Sequence, residues 1–318
     1  MKKLNSRNIL VTGGAGFIGS NLIDQLLFLG HKVICLDNFD PFYDKKVKLE
    51  NLADAYEHQN FVLIEGDIRN QADLEKCFSL QPIDLVIHLA AKAGVRPSIK
   101  DPKEYYDVNV AGTLNILEAM RNYGVKKFLF ASSSSVYGNN RKTPFSESDS
   151  VDNPISPYAA SKKSGELICH SYHHLYGFDI FCLRFFTVYG PRQRPDLAIH
   201  KFTNQILKNQ SIEVYGDGSS ARDYTYINDT VNGIIKASEC LEGFDIFNLG
   251  ESKVISLLEM IETIEKLLGK KAIKKFLPVQ PGDVDITFAD ITKSKKMIGY
   301  DPQWNFEIGL KEFLKWKI

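Results

Sequence analysis

The feature that most constrains the fold is a glycine string near the start of the chain, TGGAGFIG at residues 12–19. The string follows a short apolar run and leads directly into an amphipathic stretch of helical length. Gly13, Gly16 and Gly19 are spaced three residues apart. This spacing provides a tight turn, a backbone without Cβ atoms and a helix N-terminus, which together can bind a pyrophosphate. The string therefore predicts a nucleotide-binding strand–turn–helix unit.

The first half of the chain alternates short apolar runs with amphipathic stretches. We expect strands at residues 8–12, 32–37, 61–67, 85–90, 128–132 and 180–185, and helices at 20–29, 71–79, 106–123 and 158–176. Apolar strands that alternate with helices indicate βαβ units and a parallel sheet that is covered on both faces. The predicted fold class is α/β, a Rossmann-type doubly wound parallel sheet with a smaller α/β substrate domain.

The second half has a different organisation. It contains the turn-rich loop GDGSS at residues 216–220 and further helical stretches at 200–208, 228–241, 256–268 and 306–317. A buried strand is expected at 245–249, so the chain should cross back to the first sheet. We expect a nucleotide-binding domain at residues 1–186 with a return segment at about 225–250, and a substrate domain at 187–318 that this return interrupts.

Charge and cysteine content exclude several classes of function. The 318 residues include 39 Lys+Arg and 39 Asp+Glu, so the formal net charge is zero and no basic surface for nucleic acid or an anionic membrane is expected. No apolar run reaches the ~18–20 residues of a membrane span, and the N-terminus is not typical of a signal peptide. The five cysteines are scattered without a CxxC pair, which favours a reducing cytoplasm over a disulfide framework or a metal site.

An acidic residue follows the glycine string at an informative distance. Asp37 ends the second predicted strand, where a carboxylate accepts hydrogen bonds from an adenosine ribose and would repel a 2′-phosphate. NAD is therefore favoured over NADP. Asp67 and Ile68 end the third predicted strand, and we expect them to flank the adenine.

A second pair of motifs carries polar side chains to the same crevice. In YAASK at residues 158–162, Tyr158 and Lys162 lie on one face of a predicted helix because they are four residues apart. SSSSVYG at residues 132–138 ends a predicted parallel strand, where hydroxyl groups line the ligand crevice.

Taken together, the glycine string, Asp67, LAA at 89–91, Asn109, the serine run and YxxxK resemble the extended short-chain dehydrogenase/reductase family along essentially the whole chain. The resemblance implies that Tyr158 is the acid/base, that Lys162 lowers its pKa and holds the nicotinamide ribose, and that Ser133 steadies the reacting oxygen. A free phenol has a pKa near ~10, and a neighbouring ammonium and a cationic nicotinamide would bring it towards the working pH. Asn109 is expected to have a structural or water-ordering role.

The expected cofactor is NAD. The cofactor-binding residues expected from the motifs are Gly13, Gly16, Phe17, Ile18, Asp37, Asn38, Asp67, Ile68, Leu89, Ala90, Ala91, Lys92, Asn109, Tyr158 and Lys162.

Three later strings resemble the nucleotide-sugar enzymes of this family. RFFTVYGP begins at Arg184, GDG at 216–218 is followed by ARDY at 221–224, and QPGDV spans 280–284. The resemblance implies that Arg222 binds the nucleotide diphosphate and that the last string lies near the uridine. An ion pair between Arg222 and Asp223 at the surface is the alternative reading.

The serine run narrows the reaction. It lacks the acidic pair of sugar 4,6-dehydratases and the Glu of UDP-glucuronate decarboxylases, which leaves 4-epimerisation, an isomerase reaction. Thr187 and Arg194 match positions that hold a C5 carboxylate in UDP-glucuronate 4-epimerases, and a guanidinium suits a planar carboxylate. Lys92 departs from the Gln common in that group. Epimerisation of UDP-glucose or UDP-N-acetylglucosamine, binding of only phosphate or solvent by Arg192 and Arg194, and a non-catalytic NAD-binding regulator are the alternatives.

The expected partners are a UDP-sugar and a second copy of the chain. The substrate-binding residues expected from the resemblance are Arg96, Ser134, Ser135, Thr187, Arg194, Arg222, Gln280 and Asp283. The family resemblance implies a homodimer through a four-helix bundle of the helices at 106–123 and 158–176. His170, His173 and His174 on the second of these helices fit such an interface better than a metal site.

Overall fold

The computed structural model describes residues 6–279 and 284–318. Its strands are β1 (Asn8–Thr12), β2 (Lys32–Asp37), β3 (Phe61–Glu65), β4 (Leu85–His88), β5 (Lys127–Ser133), β6 (Asp179–Phe185), β7 (Thr187–Tyr189), β8 (Ser211–Tyr215), β9 (Ala221–Tyr226), β10 (Phe244–Leu249), β11 (Val254–Ser256) and β12 (Ile273–Leu277). Its α-helices are α1 (Phe17–Phe28), α2 (Lys45–Asn51), α3 (Ala53–Tyr56), α4 (Gln71–Leu80), α5 (Val95–Lys100), α6 (Pro102–Tyr106), α7 (Gly112–Tyr123), α8 (Pro157–Tyr176), α9 (Ala198–Leu207), α10 (Ile227–Glu239), α11 (Leu257–Leu268), α12 (Thr292–Ile298) and α13 (Phe306–Lys317).

In the described part of the chain, seven strands form one parallel sheet in the order β10-β6-β5-β4-β1-β2-β3. The order reverses at β1, so the crevice beyond the carboxyl ends of β1 and β4 is the switch point where ligands bind in such sheets. The predicted α/β class is confirmed. The strand predicted at 245–249 is also present, as β10 at one edge of the sheet.

Both faces of the large sheet are buried, as the apolar runs predicted. Along β1, Ile9 and Val11 join the hydrophobic cluster on one face, whereas Leu10 joins the cluster on the other. Successive side chains of a strand point to opposite faces, so an uninterrupted apolar strand requires a layer of helices on each side.

Two strands are shorter than expected, and this difference shapes the crevice. The third strand ends at Glu65 rather than at residue 67, and the fourth ends at His88 rather than at residue 90. Their pairing stops there because the neighbouring strands end at the same level, with Asp37 opposite Glu65 and Thr12 opposite His88. The residues that follow leave the sheet and line its edge.

The helix expected at 106–123 is divided into three parts. α6 passes into a π-helical turn at Asp107–Ala111, and α7 follows. A π turn inserts one residue into a helix and occurs frequently at functional sites. Here it contains Asn109, whose side chain is bonded to two neighbouring segments.

Beyond β6 the chain builds two small sheets that the sequence analysis did not identify. β7 and β11 flank β9 in one, and β8 pairs with β12 in the other. The short helices α2, α3, α5, α6 and α12 were also not predicted. Among the described helices, none is both long enough and apolar enough to cross a bilayer.

Candidate active site

The glycine string forms a tight cradle between β1 and α1. Gly13 has φ +70°, and a Cβ there would lie 2.6 Å from the backbone nitrogen of Ala90. A Cβ on Gly19 would lie 2.4 Å from the Gly13 carbonyl oxygen. Gly16 is the N-cap of α1 and provides no side-chain hydrogen bond to the first turn. The cradle therefore brings exposed backbone and a helix N-terminus together, which fits the pyrophosphate of a dinucleotide.

Asp37 closes this cradle from the end of β2. Its carboxylate accepts hydrogen bonds from the backbone N–H groups of Ala15 at 3.0 Å and Phe39 at 2.8 Å. Burial raises the pKa of Asp37, and the nearby Lys48 opposes this effect. The carboxylate is positioned at the end of the strand, as the ribose-binding role requires.

Asp67 lies beside this position and is held by two neighbours. Arg69 donates to it at 2.8 Å, and the Asn38 amide donates at 2.9 Å. The hydrogen bonds from Arg69 lower the pKa of Asp67 to about 2. Ile68 is buried and packs against Gly112, where a Cβ would approach its side chain to 2.5 Å.

A buried histidine connects the end of β1 to the π-helical turn. His88 contacts the hydroxyls of Thr12 at 2.7 Å and Thr113 at 3.0 Å. The Thr113 hydroxyl donates to the carbonyl oxygen of Asn109, so it accepts from Nε2–H of His88, and Nδ1 accepts from Thr12. Burial lowers the pKa of His88 to about 3, which keeps the ring neutral. The Thr12 hydroxyl also accepts from the N–H of Ala90, which fixes the segment against the cradle.

Tyr158 lies at the start of α8, facing the end of β5. Burial raises the pKa of its phenol, while a hydrogen bond with Ser133 and the positive charge of Arg194 act in the opposite direction. The tyrosine is thus near a serine, as predicted. The guanidinium that acts on the phenol belongs to a residue that the sequence analysis assigned only to the substrate.

Lys162 lies one turn further along α8. Its ammonium donates a hydrogen bond to the carbonyl oxygen of Ala131 in β5 at 2.7 Å and lies over the ring of Phe130. Burial lowers the pKa of Lys162 to about 8. The lysine is thus anchored to the strand that ends in the serine run.

Asn109 is fully engaged by protein groups. Its Oδ1 accepts from the backbone N–H of Lys92 at 2.8 Å. Its two amide hydrogens are donated to the Lys92 carbonyl oxygen and to the hydroxyl of Ser161. Ser161 in turn donates to the Tyr158 carbonyl oxygen. Since both N–H groups are used, Asn109 holds α8 to the crevice, and of its two expected roles the geometry favours the structural one.

The serines of the run have different environments. The Ser133 hydroxyl donates to that of Ser135 at 3.1 Å, and Ser134 begins a 3₁₀ turn. Ser132 instead points into the core and donates to Glu166, which also forms a two-point ion pair with Arg184 at 2.8 and 2.9 Å. Arg184 therefore joins α8 to β6 and does not reach the crevice.

Arg194 lies among aromatic rings and one carboxylate. Its Nε and Nη2 atoms donate to the two oxygens of Asp196 at 3.0 and 2.8 Å. Its guanidinium lies 5.2 Å from the centre of the Phe42 ring, in the loop after β2. Thr187, the other residue predicted for a carboxylate, is half-buried at the start of β7, where it pairs with Tyr224.

Lys92, the residue that departs from the usual Gln, forms an ionic bridge. Its ammonium lies 3.1 Å from Asp40 and 3.1 Å from Glu104. Asp40 belongs to the same loop as Phe42, so the bridge joins that loop to α6. Neither partner has a local signal in the sequence, because Asp40 is 52 residues away from Lys92.

Arg96 and Arg222, both predicted to bind the substrate, lie on different elements, α5 and β9. Arg96 stacks over the ring of Tyr215 at 4.7 Å and thereby connects α5 to β8. Arg222 donates to the carbonyl oxygens of Ala221 and Asp285 at 2.9 and 3.4 Å. The last two predicted substrate-binding residues, Gln280 and Asp283, lie outside the described residues.

Asp223 bonds to backbone N–H groups rather than forming the surface ion pair with Arg222 that was the alternative reading. Asp223 is buried and accepts backbone hydrogen bonds from Glu251 at 2.7 Å, Ser252 at 3.0 Å and Ala289 at 3.1 Å. Burial raises its pKa to about 6. One carboxylate thus ties three segments together behind Arg222.

Several residues of this site escaped the sequence analysis, among them Phe42, Tyr105, Ser161 and Asp196. Asp196 stands two residues after Arg194, and this spacing could have indicated a pair. Tyr105 contacts Tyr158 edge to face at 6.2 Å and donates to the carbonyl oxygen of Ala93. Within residues 6–279 and 284–318, no cluster of three or more metal-ligating side chains is present.

Comparisons with known proteins agree with this arrangement. A family model described as GDP-mannose 4,6 dehydratase matches residues 10–313. The chain is 46% identical to a UDP-glucuronate 4-epimerase of Thermodesulfobacterium geofontis, over 96% of this chain and 95% of the relative. It is also 39% identical to the UDP-glucuronic acid 4-epimerase of Bacillus cereus, solved in complex with UDP-glucuronic acid and NAD, with a TM-score of 0.92 over 97% of this chain and 98% of that one. A UDP-N-acetylglucosamine 4-epimerase of Methanobrevibacter ruminantium M1 is 36% identical, with a TM-score of 0.90 over 99% of both chains.

Proposed function

The chain belongs to the extended short-chain dehydrogenase/reductase family, in the branch that the GDP-mannose 4,6 dehydratase model describes, and on this premise we propose that it is an NAD-dependent UDP-glucuronate 4-epimerase. The reaction interconverts UDP-glucuronate and UDP-galacturonate through a 4-keto sugar and is therefore an isomerase reaction. The observation on which the uronate assignment rests is the position of the Arg194 guanidinium, which is 18% exposed, lies 5.2 Å from the centre of the Phe42 ring and is near enough to the Tyr158 phenol to lower its pKa.

Tyr158 is the acid/base of this reaction. As phenolate it takes the proton from the O4 hydroxyl of the sugar. It returns the proton to O4 after the 4-keto sugar has rotated so that its opposite face meets the cofactor. Ser133 donates its hydroxyl to the reacting oxygen, in a position that Ser134 and Ser135 can share. The hydrogen bond with Ser133 and the charge of Arg194 both favour the phenolate against the effect of burial.

NAD supplies a reversible hydride acceptor when it is bound. The glycine cradle holds the pyrophosphate, and Asp37 accepts from the adenosine ribose. Asn38, Asp67 and Ile68 border the adenine side, and Lys162 supports the nicotinamide ribose. The remaining residues that we assign to the cofactor site are Phe17, Ile18, Leu89, Ala90, Ala91, Lys92 and Asn109.

The uronate assignment follows from the chemistry of the intermediate. Oxidation at C4 makes a β-keto acid, which loses CO₂ when the bond to the carboxylate stands perpendicular to the carbonyl plane. An epimerase must therefore hold the carboxylate away from that geometry. Arg194 and Thr187 are suited to this task, since a guanidinium binds a carboxylate through two parallel hydrogen bonds and a hydroxyl adds a third.

The nucleotide occupies the other end of the crevice. Arg222 contacts the diphosphate, and Arg96, which already lies against Tyr215, faces the same ligand. Gln280 and Asp283 complete the uridine site. We assign residues 1–186, with a return segment at about 225–250, to the cofactor domain, and residues 187–318 to the substrate domain.

The proposed assembly is a homodimer through α7 and α8. Exposed apolar side chains mark these helices in the described chain: Leu114, Tyr123, Leu167, Leu175 and Tyr176. A four-helix bundle of two copies would bury them. The five cysteines are all free thiols, and a reducing cytoplasm is the compartment that we propose for the enzyme.

One observation favours a neutral UDP-hexose as a second candidate substrate. Arg194 is already paired with Asp196, so the sugar site carries less net positive charge than a lone arginine would give it. UDP-glucose or UDP-N-acetylglucosamine would then be the natural substrate. A non-catalytic NAD-binding regulator is disfavoured because it would need neither Ser133 nor Tyr158.

Incubation with UDP-glucuronate, UDP-glucose and UDP-N-acetylglucosamine, with products identified by NMR, tests the proposal directly. Arg194→Ala should raise KM for UDP-glucuronate by about 10–150-fold, the loss of one charge-assisted pair, and should leak UDP-pentose. Arg192→Gln is the control, because Arg192 pairs with Asp24 and should not touch the sugar. If the wild-type enzyme turned over UDP-glucose faster than UDP-glucuronate, or if Arg194→Ala reduced the activity with both substrates equally, a neutral UDP-hexose would be the substrate instead.

A further inference from the structure

Asp196 and Arg194 form a fork-shaped ion pair inside the sugar-binding part of the crevice. Two parallel hydrogen bonds, of 3.0 Å from Nε and 2.8 Å from Nη2, join the guanidinium to the two carboxylate oxygens. The Arg194 side chain is 18% exposed and that of Asp196 is 39% exposed. The pair is therefore formed before any sugar arrives, at the residue to which the proposed function assigns the substrate carboxylate.

Among the described residues, only the Nε/Nη2 edge of the Arg194 guanidinium is hydrogen-bonded, and this leaves its other edge for a ligand. A guanidinium can accept a carboxylate on its Nε/Nη2 edge or on its Nη1/Nη2 edge. Asp196 occupies the first edge, and the Phe42 ring covers one face. The positive charge of Arg194 acts to lower the pKa of three phenols, those of Tyr43, Tyr105 and Tyr158. The negative charge of Asp196 acts in the opposite direction and raises the pKa of the Tyr43 and Tyr105 phenols.

We propose that Asp196 is a specificity-determining residue that limits how tightly Arg194 holds the substrate carboxylate. This inference rests on the proposed function. Asp196 keeps the Nε/Nη2 edge throughout the reaction, and the uronate takes the Nη1/Nη2 edge. Two carboxylates then share one guanidinium, and their mutual repulsion weakens the grip on the substrate relative to an arginine without a partner.

Weaker binding of the substrate carboxylate favours rotation of the sugar within the site. The 4-keto sugar must rotate so that its opposite face meets the cofactor, and its carboxylate must break and re-form its hydrogen bonds with Arg194 during this movement without reaching the geometry that loses CO₂. A guanidinium without a partner in a largely buried site would be costly, and it would retain the carboxylate. Because Asp196 stays bound, Arg194 remains paired when the carboxylate departs.

Asp196→Asn tests this role, since the amide has the size of the carboxylate and keeps one hydrogen-bond acceptor but loses the charge. Titration calorimetry in the Tyr158→Phe holoenzyme measures binding without turnover. We expect UDP-glucuronate to bind about tenfold more tightly after Asp196→Asn, as expected when a like charge is removed at close range. UDP-glucose should bind within about twofold of its original affinity, because it offers no carboxylate to repel.

Kinetics on the Tyr158 enzyme give the second measurement. Asp196→Asn should lower kcat for UDP-glucuronate by about tenfold while lowering KM, because the carboxylate leaves Arg194 more slowly. Asp196→Glu, which restores the charge, should return both values towards the wild type. Asp54→Asn is the control, since Asp54 lies on the surface beside Arg192.

The opposite results would refute the role. If Asp196→Asn weakens UDP-glucuronate and UDP-glucose equally, with less bound NAD, Asp196 serves only to maintain the structure. If affinity for UDP-glucuronate is unchanged, the two carboxylates do not share the arginine. A wild-type enzyme that prefers UDP-glucose would overturn the proposed function itself, and this outcome is visible before any variant of Asp196 is made.

Discussion

The Lys162 ammonium donates a hydrogen bond to the carbonyl oxygen of Ala131, 2.7 Å away across the interface of α8 and β5. Helix α8 and the serine-bearing strand β5 are thus joined by the lysine that we assign to the cofactor site. Burial lowers the pKa of this lysine to about 8, so its charge is maintained at a cost to the folded state.

The burial of Lys162 should make the free energy of unfolding depend on pH. The pKa of Lys162 is lowered in the folded protein relative to the unfolded chain, so the native state binds fewer protons between about pH 8 and 10.5. The contribution of Lys162 to the free energy of unfolding should therefore rise across this range by about 3 kcal/mol. Urea denaturation of the wild type and of Lys162→Met at several pH values measures the difference. A difference that is constant with pH would contradict the prediction.

Tyr158→Phe should abolish turnover and leave the fold and the cofactor in place. The phenol is lost while the ring that contacts Tyr105 remains. Proton transfer from a positioned group contributes ~10²–10⁴-fold, so kcat should fall by at least 10². Circular dichroism and the content of heat-released NAD provide the controls. Residual activity above about a tenth of the wild type would require another base.

Arg194 should also influence the pH profile. Its positive charge lowers the pKa of the Tyr158 phenol, so its removal raises that pKa, and the phenolate forms only at higher pH. In Arg194→Ala, the rising limb of kcat/KM should therefore move to higher pH. UDP-glucose is the substrate for this measurement because it has no carboxylate to lose. An unchanged limb would mean that other groups set the pKa of the phenol in the loaded enzyme.

Asp37 should determine the choice of cofactor. The purified protein should carry NAD rather than NADP, because the carboxylate at the end of β2 would face a 2′-phosphate. Asp37→Asn keeps an acceptor for the N–H of Ala15 but removes the charge, and it should reduce the preference for NAD by about tenfold or more. Reconstitution of the apoenzyme with each cofactor measures the ratio. Isolation of the wild type with mainly NADP would refute the assignment.

The assembly can be tested by one charge on the proposed interface. Leu167 is 58% exposed on α8, and Leu167→Glu would place a carboxylate in the centre of the four-helix bundle. We expect this variant to elute as a monomer in size-exclusion chromatography with light scattering. Leu80→Glu, on the exposed face of α4, is the matched control and should remain a dimer. Identical behaviour of both variants would argue against this interface.

Much of the fold could be predicted because its signals are local. The glycine string, the apolar strands and the helical spacing of Tyr158 and Lys162 each involve only a few neighbouring residues. The predicted strands, and the predicted helices other than the one at 106–123, are present within a few residues of their predicted bounds. The family comparisons confirm the resemblance that the combined motifs indicated.

The contacts that tune the site could not be predicted in the same way. The bridge from Lys92 to Asp40 and Glu104 and the stacking of Arg194 on Phe42 join segments that meet only after folding. The π-helical turn at Asn109 likewise depends on tertiary hydrogen bonds, since helical periodicity alone predicts a continuous helix. Neighbouring residues carry no signal for such pairs.

The position of β10 has a consequence for how such enzymes can be recombined. This strand arrives after the small sheet of β7 and β9 and completes the edge of the large sheet beside β6. A fragment that stopped before Phe244 would expose the edge of β6 that β10 covers, and such exposed edges promote aggregation. The part of the chain that we assign to the substrate domain is therefore divided in two by β10. A chimera designed to take the substrate specificity of a relative should therefore replace two separate segments, the chain between β6 and β10 and the chain after β10. It should keep the original β10.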